Sequence, residues 1–148
     1  MILRKDVRQY DAKQMYDIAD AFWLAAKRCD EPRIIEVGWV QRLIVPVIVN
    51  YAFACELFIK AMLQKEGSLS LKSGHSLEQL FKKLSDETQQ RIIKEIPKCD
   101  FKTELNNISL AFQEWRYIYE IEIHSINMVF LELFATALKQ EIESRLLE

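Results

Sequence analysis

Glu56 and Lys60 are the one carboxylate and the one ammonium in the apolar stretch from Tyr51 to Leu63, Tyr-Ala-Phe-Ala-Cys-Glu-Leu-Phe-Ile-Lys-Ala-Met-Leu. On a helix the acid-before-base order at four residues lets the two salt-bridge along one face. Exposed, such a pair contributes only about 0.3–0.5 kcal/mol. In an apolar setting the same charges must be paired, because an unpaired buried charge is expensive. Two chemistries fit this pattern. One is a structural ion pair that holds helix geometry; the other is a polar site in which Lys60 meets a phosphate and Glu56 orients a partner group.

Three further groups carry chemistry. Arg116 lies in Ala111-Phe-Gln-Glu-Trp-Arg-Tyr-Ile-Tyr-Glu120, four residues after Phe112, and so borders an apolar seam. It can pair with Glu120 on its own helix or reach Glu56, and its planar fork suits carboxylate and phosphate alike. His75 follows Gly74 just ahead of Ser76-Leu-Glu-Gln79, placing an imidazole in a loop before a helix, as a loop anchor or as an acid or base. Trp115, Tyr117 and Tyr119 can stack a base, or serve as core at helical spacing. Two histidines and three scattered cysteines leave no expected metal site. There is no phosphate loop, dinucleotide glycine pattern or nucleophile elbow, so no cofactor is expected.

The elements that must position these groups read as helical. The 148 residues suit one domain, 1–148, large enough for a sizeable core, and half of them are hydrophobic. Three glycines and three prolines are too few for a β-rich chain of this size. The net charge of −2 argues against coating of nucleic acid by bulk electrostatics, although residues 60–102 carry +3 and residues 103–148 carry −5. Lys82, Lys83, Arg91, Lys94 and Lys98 form either a basic face or an ordinary solvated helix surface. Cys29, Cys55 and Cys99 lack disulfide or zinc spacing and read as small apolar residues in a reducing, cytoplasmic setting. Arg4 and Lys5 precede no apolar leader core. Leu43–Cys55 is uncharged for thirteen residues, short of the roughly 17–25 of a membrane span, so a buried helix is expected and no membrane.

Apolar spacing at Met15, Ile18, Phe22, Ala25 and Ala26 predicts a helix over about 11–29, ended by Asp30-Glu31-Pro32. A second helix is expected over about 40–65, either kinked at Pro46 or starting near Val45 with the proline in its first turn. Ser76 with Gln79 resembles a capping box opening a short helix, and Ser85 opens another. From Asp100, the seam Phe101, Leu105, Ile108, Phe112, Trp115, Tyr119 predicts one long helix that breaks over residues 121–125. The last helix, about 126–146, is expected to bury Val129, Phe130, Leu133, Phe134, Ala137, Leu138 and Ile142. The fold class is all-α, an antiparallel up-and-down bundle of four long helices with a short helical pair inserted.

Taken together, "AFACELFIKAML", "GHSLEQLF" and "AFQEWRYIYE" resemble, in this order, the HEPN family (higher eukaryotes and prokaryotes nucleotide-binding), over about residues 40–145. The resemblance implies an α-helical, often homodimeric module that binds a nucleotide, RNA or a protein partner such as an antitoxin. Many members belong to toxin–antitoxin, phage-defence or RNA-processing systems, and some are metal-independent ribonucleases. The Glu56-x-x-x-Lys60 pair is similar to an auxiliary motif of some of these. The ribonuclease subset places Arg, four to six residues, then His on a late helix, whereas Arg116 and His124 have seven residues between them. On one helix that is about 12 Å of rise and about 80° of rotation. The implied function is a binding module with degenerate or absent ribonuclease activity. One alternative is a metal-independent endoribonuclease using Arg116, Glu56, Lys60 and His75 or His124; another is a purely structural bundle.

Overall fold

A computed structural model describes residues 1–122 and 125–147. Among the described residues the fold is 66% helical with one two-stranded sheet, an all-α bundle. In order, the described residues form α1 (Ala12–Cys29), β1 (Arg33–Glu36), β2 (Trp39–Gln41), α2 (Ile44–Glu66), α3 (Leu77–Lys82), α4 (Asp86–Lys94), α5 (Phe101–Ile108), α6 (Ala111–Arg116) and α7 (Met128–Leu146).

The central element is α2. Pro46 sits in its first turn, where no intrahelical N–H is required. Gly67, at φ +74°, closes the helix in the left-handed region, and the Ser68 N–H returns to the Leu63 carbonyl at 2.8 Å. By length and apolarity α2 would suit a membrane span, yet 56% of that stretch is buried inside the protein. It packs against α1, α6 and α7. Phe58, Ile59, Met62 and Leu63 are fully enclosed, and Phe53 stacks on Phe112 while meeting Phe22 edge-on. A second aromatic cluster, Phe81, Phe101, Phe130 and Phe134, fastens α3 and α5 onto α7.

Several sequence expectations are corrected. The long helix from Asp100 is divided into α5 and α6. Buried Ser109 stands at the division: its hydroxyl donates to the Leu105 carbonyl and accepts the Glu78 N–H, and its carbonyl accepts the Leu77 N–H. Ser109 thereby satisfies the first donors of α3, which a continuing helix would leave orphaned. The break expected over 121–125 includes Ile123 and His124, which lie outside the described residues, and α6 has already ended at Arg116. Val129 and Leu133 are exposed on α7, with Leu131 and Ala135 buried in their place. That helix is apolar around most of its circumference, so periodicity alone does not fix its rotation. On α1, Ile18 is exposed and Ala19 takes the inward position. The hairpin of β1 and β2 is an addition: Val37-Gly38 forms its tip, with Gly38 at φ +86° where a side chain would be strained.

Candidate functional site

One turn of α2 separates Glu56 from Lys60, and one further turn leads to Gln64, so the three share a polar stripe on an apolar helix. Glu56 is 3% exposed. Its Oε2 accepts from Lys60 Nζ at 3.0 Å and lies 3.0 Å from His75 Nδ1. Oε1 of the same carboxylate is buried with no hydrogen-bond partner among the described residues.

His75 reaches α2 because of the loop before α3. Ser70 and Ser73 close a turn, the Lys83 ammonium holds the Ser73 carbonyl at 3.2 Å, and Gly74 at φ +78° turns the chain so that His75 follows. Ser76 then caps α3 by accepting the Gln79 N–H at 3.4 Å; of the expected capping box, this half forms. A carboxylate can only accept, so with Glu56 ionised the His75 Nδ1 donates. In the neutral ring, that leaves Nε2 as the acceptor. The His75 side chain remains 65% exposed, whereas that of Lys60 is 19% exposed.

Lys60 and His75 line a cavity of about 160 Å³. Its other walls are Met15 of α1, the Leu69–Leu71 loop and the N-terminal segment at Val7 and Tyr10. Gln64 fixes that segment by donating to the carbonyls of Val7 at 3.0 Å and Tyr10 at 2.9 Å. Sequence reading passed over Gln64, though it extends the Glu56–Lys60 row by four residues. Such a site can hold a small anionic group bearing a hydroxyl: Lys60 supplies charge, His75 Nε2 accepts from the hydroxyl or carries a proton, and Tyr10 forms an aromatic wall.

Arg116 stands apart from this cluster. Exposed, it donates from Nε to the Phe112 carbonyl at 3.1 Å and lays its guanidinium over the rings of Phe112 and Tyr117, 4.3 and 5.3 Å from their centroids. Among the described residues it forms no ion pair, with Glu56, Glu120 or any other acid. Tyr117 and Tyr119 are exposed beside it, while Trp115 packs against the core. His124 lies outside the described residues.

A larger basin, about 830 Å³, opens between α2, α4 and α7. Its arginines are already engaged. Arg145 bridges Glu66 at 2.7 Å, Glu141 at 3.3 Å and the Thr88 hydroxyl, and Arg91 bridges Glu141 at 2.8 Å. Lys82 of the suspected basic face pairs with Glu78. This network ties three helices together, and the smaller cavity carries the better-placed chemistry.

Fold and site together define an all-α helical domain in which a buried carboxylate on the central helix aligns Lys60 and His75 on the wall of a small cavity. Compared with protein-family models, curated proteins and solved structures, the chain matches none.

Proposed function

We propose that this protein is a HEPN-like helical module whose Lys60–His75 pocket, backed by the buried Glu56, binds the phosphate of a nucleotide or an RNA segment. The observation that carries the reading is the shared oxygen: one buried carboxylate aligns an ammonium and a largely exposed imidazole at the mouth of one cavity. A charge held this way costs desolvation and is offset only by its partners, and a phosphate at the mouth adds a third charge of the right sign for Lys60. The cavity takes a phosphate or part of a ribose, leaving a base outside near Tyr10.

A second reading, metal-independent cleavage of RNA, has one observation in its favour: Nδ1 is committed to Glu56, which leaves Nε2 to accept the proton of a 2′-hydroxyl. As the 2′-oxygen bonds to phosphorus and the bond to the 5′-oxygen breaks, Lys60 would stabilise charge on the phosphate, and the proton on Nε2 would pass to the departing 5′-oxygen. Arg116, stacked on aromatic rings, supplies no such charge here.

The test is fluorescence anisotropy with labelled single-stranded RNA, run in EDTA alongside gel analysis of the same RNA. Wild type is expected to bind, with Lys60→Ala and His75→Ala weakened about tenfold or more. Cleavage abolished by His75→Ala in a folded variant establishes the second reading. Absence of binding by wild type overturns both.

A further inference from the structure

We infer that the β1–β2 hairpin is a self-association surface, covered by the same hairpin of a second copy of this chain. Every residue from Glu31 to Ile44 is exposed, so the hairpin contributes no buried side chain to the bundle. Yet it presents Ile34, Ile35, Val37, Trp39 and Val40, which are 57–100% exposed. An isolated two-stranded hairpin is marginal in water, and an open strand edge is a ready template for pairing.

The charges select the occupant. Between Asp30 and Arg42 stand three acids and two arginines, and Asp30 already pairs with Arg42 at 3.2 Å. A near-neutral apolar patch offers nothing to nucleic acid or to an anionic membrane. It is self-complementary instead. β1 begins with Arg33 and ends with Glu36, and its outer edge is unpaired among the described residues. Antiparallel pairing of β1 with its own copy about a two-fold axis sets the basic end of each strand beside the acidic end of the other. The four-stranded sheet so formed gives both hairpins the extra strands that isolated hairpins lack.

This inference is independent of the pocket reading. Lys60 is sixteen residues beyond Ile44 on α2, about 24 Å of helix at 1.5 Å per residue. Sedimentation velocity of the full chain over a concentration series tests it, with Trp39→Ser, Arg33→Glu and the swap Arg33→Glu/Glu36→Arg. Wild type is expected to dimerise. Trp39→Ser should weaken the dimer about thirtyfold or more with helical circular dichroism unchanged, since no hairpin residue is buried. Arg33→Glu should weaken it, and the swap should restore it. A wild type that stays monomeric at high micromolar concentration overturns the inference, as does a dimer that Trp39→Ser leaves intact.

Discussion

Lys60 and His75 converge on the same oxygen of Glu56, each at 3.0 Å, although one lies on the same helix and the other nineteen residues away in a loop. The anion is buried and depends on Lys60 for its charge balance. Lys60→Met should therefore destabilise the fold by about 3 kcal/mol, while Glu56→Leu/Lys60→Met, which removes both charges, should recover most of that. Urea denaturation of the two variants checks this. A Lys60→Met change within about 0.5 kcal/mol of wild type, the size of an exposed-pair effect, would contradict a buried, coupled pair.

Arg116 gives the opposite expectation. Its guanidinium is exposed and rests on Phe112 and Tyr117, away from the Glu56 cluster. Arg116→Ala should change stability by about 0.5–1 kcal/mol through the lost cation–π contact and leave phosphate binding within about twofold. A tenfold loss of RNA affinity in this variant would move the binding surface to α6 and its tyrosines.

Glu66 sets an acid limit to stability. Burial pushes its carboxyl up, but Arg145, the Ser85 N–H and the Thr88 hydroxyl together hold it below its ordinary value of 4.5. The native state thus binds this proton less readily than the unfolded chain. The contribution is complete above pH 4.5 and is lost as pH falls through the depressed native value. Urea midpoints of wild type should decline over that window more steeply than those of Glu66→Gln. Parallel curves would remove Glu66 from the linkage.

The cysteines should separate by reactivity. Cys55 is fully enclosed and burial pushes its thiol well up, whereas Cys99 is exposed and Cys29 partly so. A thiol reagent should label Cys99 first and Cys55 only with global unfolding. Labelling of Cys55 under native conditions at the rate of Cys99 would mean that the core around α2 opens locally.

What the sequence disclosed was local. Ser76, Ser85 and Asp100 cap the helices they precede, because a side-chain oxygen aimed at a first-turn N–H is a local event. Glu56 and Lys60 were legible as a pair for the same reason. The arrival of His75 was not, since it depends on the Ser70–Ser73 turn, on Gly74 and on Lys83 ten residues beyond Ser73. The division at Ser109 was hidden inside an unbroken apolar seam, because the groups that interrupt it belong to α3. The hairpin did leave a signal in Arg33-Ile-Ile-Glu and Trp39-Val-Gln flanking Val37-Gly38, a β-branched and aromatic pattern around a two-residue tip. It buries nothing in its own chain, so no core periodicity announced it.

The most direct test of the central claim is a long-range ¹H–¹⁵N NMR spectrum of the histidine rings during titration with a ribonucleoside monophosphate, with His75→Gln assigning the two histidines. The account predicts that the His75 ring signals mark an Nδ1–H tautomer in the free protein and shift saturably as nucleotide is added. It predicts the same titration to be lost in Lys60→Ala. A His75 ring unmoved by saturating nucleotide, or one protonated on Nε2 in the free state, would contradict it.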